Sequence, residues 1–154
     1  MAKEIERKFL VDLEKWDKKG RSIAMEQAYL SVENNKVVRV RIAGDCAYLT
    51  IKGNLQGITR DEFEYEIPVN DARQLIKMGI GYCVRKTRYV EQIGGKTWEV
   101  DEFEDENKGL VVAEIELKSE GELFEKPVWI LDEVSTDERY YNFNLAMTPY
   151  LHWQ

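Results

Sequence analysis

The sequence predicts a mainly β fold with a minor helical part, built from antiparallel strands. Three observations carry that expectation: apolar and polar residues alternate with period two, short turn-forming stretches separate the alternating segments, and few stretches have helical spacing. In chain order the eight alternating segments are KEIERKFLV (3–11), EQAYLSV (26–32), KVVRVRIA (36–43), AYLTIKG (47–53), TRDEFEYEIPV (59–69), YCVRKTRYV (82–90), KTWEVDEF (96–103) and GLVVAEIEL (109–117). Between them lie ENN (33–35), GD (44–45), GNLQG (53–57), GG (94–95) and EDENKG (104–109), connections short enough to favour antiparallel neighbours. Gly94 and Gly95 read as a hairpin turn rather than a phosphate loop, because no helix follows them. NDARQLIKMG (70–79) opens on a capping residue, places Ala72, Leu75 and Ile76 on one side and ends in glycine, as a short amphipathic helix does. A second helix is expected from Thr136 or Asp137, carrying Tyr140, Phe143 and Leu145 and stopping at Pro149, with a further helical turn before Pro127.

The totals bound the function classes. At 154 residues and 44% hydrophobic content, residues 1–154 are expected to form one domain. A net charge of -7 disfavours nucleic acid and anionic membrane as partners, so a polyanionic ligand requires a local basic cluster. MAKEIERKFLV lacks the apolar core of a signal peptide, and no run of about 18 apolar residues suits a spanning helix, so a cytoplasmic protein is expected. Cys46 and Cys83 match no metal or redox spacing and read as reduced thiols. The lone histidine, His152, reads as a tail anchor, which leaves acid–base work to carboxylates, lysine or tyrosine. The four tryptophans, Trp16, Trp98, Trp129 and Trp153, read as packing residues.

Residues i and i+2 of a strand share a face about 7 Å apart. That rule groups Glu4, Glu6 and Lys8; Arg39 and Arg41; Thr50 and Lys52; Glu62 and Glu64; Lys86 and Arg88; Glu99 and Asp101; and Glu114 and Glu116. The opposite faces are apolar and need cover. Two arrangements satisfy this alternation. In one, the charged faces meet solvent around an apolar sandwich core. In the other, the sheet curls so that they line a wet lumen, which must hold water, ions or a charged ligand because unpaired buried charge is prohibitively costly. Alternation leans to the first, like-signed pairs within one strand stand against it, and for the second the residue types name the contents. Arginine and lysine suit phosphate oxygens, while paired carboxylates suit a hard divalent cation, Mg2+ or Mn2+.

EIERKFLV (4–11) resembles the Glu-x-Glu-x-Lys signature of the CYTH proteins, also called triphosphate tunnel metalloenzymes. The similarity continues through QAYLS (27–31), VRVRI (38–42), YLTIKG (48–53), TRDEFEYEIPV (59–69), KTRY (86–89), WEVDEF (98–103), GLVVAEIEL (109–117) and EVSTDERYYN (133–142). The resemblance implies an eight-stranded antiparallel tunnel whose charged lumen binds a triphosphate with Mg2+ or Mn2+. Carried over by position, it implies metal binding by Glu4, Glu6, Glu114 and Glu116, with Glu62, Glu64 and Asp101 as further acids. It implies phosphate contacts from Lys8, Arg39, Arg41, Lys52 and Arg88, with Arg139 closing over the phosphates. Lys86, beside Glu4 and Glu6 in the catalytic set, would bind phosphate or orient and deprotonate the attacking water. Hydrolysis of inorganic tripolyphosphate to pyrophosphate and phosphate is the expected activity, with cyclic AMP formation from ATP, or binding of a polyphosphate or nucleotide without turnover, as alternatives. The apolar exterior of such a barrel leaves a homodimer possible.

Overall fold

The computed structural model describes residues 3–153. Among them are nine strands: β1 (Lys3–Val11), β2 (Arg21–Glu33), β3 (Lys36–Ala43), β4 (Cys46–Gln56), β5 (Thr59–Ile67), β6 (Ile80–Ile93), β7 (Lys96–Phe103), β8 (Val111–Glu116) and β9 (Ile130–Glu133). Two α-helices join them, α1 (Val69–Ile76) and α2 (Asn142–Met147). The strand order β5-β4-β3-β2-β6-β7-β8-β1 closes on itself because β1 also pairs with β5, so eight antiparallel strands form a barrel. β1 divides its free edge: Lys3–Ile5 pair with β5, while Phe9 and Val11 pair with β9.

The eight expected strands are present, several of them longer than their alternation indicates. The ninth, β9, has no counterpart among the expected segments, and the helical turn expected before Pro127 does not form. That stretch instead makes a single turn in which the Glu122 N–H donates to the Ser119 carbonyl, and then runs across the barrel exterior. Phe124 and Trp129 in it pack on Trp98, and this burial outweighs local helical preference. The C-terminal helix also starts later than expected. A 3-10 turn over Glu138–Tyr140, capped by the Asp137 side chain, precedes α2.

Apolar burial occurs in three places. Outside the barrel, Phe9, Trp98, Val100, Ala113 and Ile115 from β1, β7 and β8 pack under Trp16 and Trp129. On another side α1 sets Ala72 against Val40, Ile42 and Ala47. The third cluster lies inside: Val84, Phe103 and Val112 share strand faces with the lumen charges, and α2 buries Leu145 and Ala146 among them. One end of the barrel is therefore plugged by apolar residues, and the charges occupy the remainder. Ile51, Phe63 and Tyr65 on the outer face of β4 and β5 stay exposed. Cys46 and Cys83 are free and half-buried, and Trp16, Trp98 and Trp129 are buried. No helix among the described residues is long and apolar enough to cross a membrane.

Candidate active site

Strand parity and barrel order together sort the inward charges by sign. β7, β8, β1 and β5 are contiguous through the ring and carry Glu99, Asp101, Glu114, Glu116, Glu4, Glu6, Glu62 and Glu64. β4, β3, β2 and β6 form the opposite arc and carry Lys52, Arg39, Arg41, Lys86 and Arg88, with Gln27 and Tyr29 between them. Exceptions to this division are Lys8 and Arg60, cations within the acidic arc. The enclosed cavity has a volume of about 200 Å³, and Arg39, Arg41, Lys52 and Arg88 face Glu4, Glu6, Glu114 and Glu116 across it.

Many pairs across strands are already satisfied. Asp101 is wholly buried: Oδ1 accepts from Arg88 Nε at 2.8 Å, and Oδ2 accepts from Lys86 Nζ at 2.7 Å and from an Arg88 terminal nitrogen at 2.9 Å. Burial opposes its charge, but Arg88 and Lys86 outweigh burial and hold the carboxyl below its usual range. Lys52 donates to both Glu4 oxygens at 3.1 and 3.2 Å and lies 3.3 Å from Glu62. Glu64 accepts from Thr50 at 2.9 Å and from Arg39 at 3.4 Å. Arg88 also reaches Glu99 at 3.1 Å.

Two groups are left needing a partner. Arg41 pairs with no carboxylate among the described residues. Its Nε donates to Gln27 Oε1 at 2.8 Å, while burial, followed by Arg39 and Arg88, bears down on its charge. Arg39 Nε is buried with no acceptor. On the acidic arc the deficit has the other sign. Burial, then Glu114 and Glu4, push the Glu6 carboxyl well above its usual range. Glu114 itself is driven well down: burial opposes its charge, but Lys8, hydrogen bonding by Glu6, and Arg88 outweigh it. Burial opposes the Lys8 ammonium, yet Glu114 and Glu6 raise its pKa.

The structure separates the expected site residues into those that face the lumen and those that do not. Glu4, Glu6, Lys8, Arg39, Arg41, Lys52, Glu62, Glu64, Arg88, Glu114 and Glu116 line the cavity together. Asp101 does not line it, and three charge-assisted hydrogen bonds from Arg88 and Lys86 already meet its charge. Glu64 is similarly committed to Arg39 and Thr50. Lys86 is also withdrawn. Its side chain is 0% exposed, and Nζ is held by Asp101 and by Asn142 Oδ1 at 3.1 Å instead of reaching a phosphate position. Burial, opposed by Asp101 and reinforced by Arg88 and Arg41, lowers its pKa to about 7. Arg139 lies outside the tunnel, mostly exposed, with Asp137 at 2.7 Å and the Tyr140 and Trp153 rings beside its guanidinium. A 3-10 turn carries it where the sequence predicts the start of a helix.

Sequence reasoning missed Arg60, Tyr29, Tyr141, Asn142 and Phe143, all of which line the cavity. Arg60 was available, since it stands two positions before Glu62 on the same strand face. The C-terminal residues carry no such signal, because α2 is brought to the tunnel by tertiary packing.

Among the described residues no group of three His, Cys, Asp or Glu side chains is arranged to hold a metal ion by itself. The donor chemistry nonetheless fits a hard cation. Glu4, Glu6, Glu114 and Glu116 line one cavity, and Glu114 and Glu4 repel the Glu6 charge, so positive charge is favoured where a cation would sit. A bound substrate's oxygens would complete such a coordination shell.

Comparison with known proteins agrees with this geometry. A family model described as CYTH domain matches residues 2–144. An inorganic triphosphatase from Acetivibrio thermocellus is 45% identical over 158 residues, covering 100% of this chain and 99% of the relative. Another from Nitrosomonas europaea is 34% identical, covering 94% of this chain and 97% of the relative. A crystal structure of an inorganic triphosphatase superposes with a TM-score of 0.70 at 32% identity, covering 96% of each chain. Barrel closure, sorted lumen charges and full-length similarity converge on one conclusion: the chain belongs to the CYTH family.

Proposed function

We propose that the protein hydrolyses a triphosphate, inorganic tripolyphosphate before any nucleotide, to pyrophosphate and phosphate, using Mg2+ or Mn2+. The observation that carries this is the divided lumen, in which an acidic arc of crowded carboxylates faces a basic arc whose Arg41 meets no carboxylate among the described residues, across a cavity of about 200 Å³. Clefts for drug-sized ligands run to about 300–1,000 Å³, so the space favours a compact, all-phosphate substrate. The two relatives named inorganic triphosphatase support the same activity.

In this scheme Arg39, Arg41, Lys52 and Arg88 bind the non-bridging phosphate oxygens, and Lys8 reaches them from the acidic side. Glu6 and Glu114, with Glu4 and Glu116, hold the divalent cation. When bound, the cation supplies Lewis acidity and lowers the pKa of attached water. Attack by water on the terminal phosphorus breaks a P–O–P bond, and the basic arc neutralises charge on the departing pyrophosphate. Lys86 sits behind the wall as a positioning residue that holds Asp101 and Asn142; it meets the lumen only if its bond to Asn142 breaks.

The test is phosphate release by purified protein with Mg2+ or Mn2+ from tripolyphosphate, ATP and thiamine triphosphate. Release is expected to be fastest from tripolyphosphate and to be lost in Glu6→Ala. No release from any of the three, with Glu6→Ala indistinguishable from wild type, overturns the proposal. Cyclic AMP formed from ATP would replace hydrolysis with cyclisation.

A further inference from the structure

Asn142, the first residue of α2, lies where the charged lumen meets the apolar plug, and its amide orientation is dictated by its neighbours. Arg41 Nε can only donate, so at 2.8 Å it requires the oxygen of the Gln27 amide. Gln27 Nε2 is thereby turned toward the Tyr29 hydroxyl at 3.0 Å and Asn142 at 3.2 Å. Nε2 also only donates, so Asn142 must present Oδ1 to it. Lys86 Nζ donates to the same oxygen from β6 at 3.1 Å, and does so whether charged or neutral. A flipped Asn142 would set its NH2 against two donors, which buried polar groups do not tolerate.

The consequence falls on the other side of the amide. Asn142 Nδ2 has no protein partner among the described residues, and Asn142 lines the cavity beside Arg39, Arg41 and Arg88. We infer that Asn142 Nδ2 contacts the substrate as a neutral hydrogen-bond donor to a phosphate oxygen, with its polarity enforced by the buried Gln27 and by Lys86. This rests on the triphosphate function proposed above. A neutral donor suits the position, because another cation would add to the repulsion that Arg39 and Arg88 already exert on Arg41. It also links α2 to an occupied tunnel: substrate bound to Asn142 favours the seated helix over any displaced one.

Two isosteric variants test the inference without removing volume. Asn142→Asp keeps the oxygen that Lys86 and Gln27 need but replaces the lumen donor with an acceptor. Gln27→Glu alters a side chain that is 0% exposed and does not line the cavity. The carboxylate it introduces would still accept from Arg41, but its second oxygen sets an acceptor where Gln27 donated, so it competes with the substrate for the Asn142 NH2 and leaves Lys86 as the one donor holding Asn142 Oδ1 in place. Both variants are expected to raise the tripolyphosphate KM about tenfold or more, as loss of a hydrogen bond to a charged group does, with melting temperature close to wild type. Gln27→Glu added to Asn142→Ala should weaken binding no further than Asn142→Ala alone. If Asn142→Asp binds within about twofold of wild type while Asn142→Ala does not, Asn142 only props Lys86 and the inference is wrong. If the wild type turns over tripolyphosphate and both isosteric variants match it, this inference fails and the function stands. If the wild type neither binds nor hydrolyses tripolyphosphate, both fail.

Discussion

Two neighbouring walls of the tunnel carry inward-facing carboxylates and treat them in opposite ways. On the β6–β7 wall, Asp101 meets Arg88 and Lys86 with all three contacts between 2.7 and 2.9 Å, and its pKa falls. On the β8–β1 wall, Glu6 meets Glu114, and its pKa rises well above normal. Both groups are desolvated, so burial does not distinguish them; the sign of the nearest neighbour does. The first wall is complete as folded and serves as scaffold. The second is incomplete, with like charges crowded where the proposed divalent cation would bind. Asp101 is thereby assigned to structure and Glu6 to ligand by whether the charge of each is already met.

The largest effect should come from breaking the complete wall. Asp101→Ala leaves the Lys86 and Arg88 charges buried without their shared partner, a change that costs about 3–5 kcal/mol. For a chain of this length each kcal/mol lowers the melting temperature by about 2–4 °C, so a drop on the order of 10 °C is expected. Urea unfolding of the metal-free protein measures it. A loss below about 1 kcal/mol would mean that the wall is not the scaffold its hydrogen bonds describe.

Breaking the incomplete wall should leave the empty protein intact and cost it its ligand. Glu6→Gln puts a neutral isostere where Glu114 and Glu4 disfavour a charge, so metal-free stability should change by less than about 1 kcal/mol, the range of a neutral hydrogen bond. What disappears is stabilisation by magnesium tripolyphosphate, which for wild type should be about 2.7 kcal/mol at a hundred times the dissociation constant. Thermal melting with and without ligand separates the two effects. A strongly destabilised metal-free variant, or one that ligand still protects fully, would erase the distinction between the walls.

The sequence shows this contrast only in part. Period-two alternation places Glu4, Glu6 and Lys8 on one face and Lys86 and Arg88 on another, and the strands follow. Alternation does not say whether those faces look in or out, because a solvated sheet would satisfy it equally. Nor does it say which strand lies beside which. That Glu6 lies opposite Glu116 and diagonal to Glu114, while Arg88 lies opposite Asp101, depends on barrel order and on the register Glu6↔Glu116, Lys8↔Glu114 and Arg88↔Asp101. Arg7 shows the same limit: its terminal nitrogens find Glu133 at 3.3 Å and the Glu120 carbonyl at 3.0 Å, both far along the chain. Lys86 is hidden by Asn142, and Arg139 is held outside by Asp137; both outcomes follow from how the C-terminal segment seats. Neutral amides such as Gln27 and Asn142 leave no pattern to read, since their roles come from donor and acceptor matching in three dimensions.

The smallest expected effect is in the pH dependence of stability. A depressed pKa like that of Asp101 contributes stability present above the unfolded value of 3.8 and lost as pH falls through the lower folded value. Glu6 has the opposite sign. Between its ordinary value of 4.5 and its raised folded value, the folded protein holds a proton that the unfolded chain releases, so stability falls as pH rises across that window. One proton contributes at most about 1.4 kcal/mol per pH unit. Glu62, Glu99 and Glu116 are raised as well and tilt the curve the same way, so the informative quantity is the difference between wild type and Glu6→Gln. In a chelating buffer wild type should lose stability faster than Glu6→Gln as pH rises above 4.5. Saturating Mg2+ with tripolyphosphate, which displaces the Glu6 proton, should reverse the wild-type trend by binding more tightly as pH increases. Parallel curves for the two proteins in chelator would mean that Glu6 is ionised in the empty tunnel and that the two walls do not differ in charge.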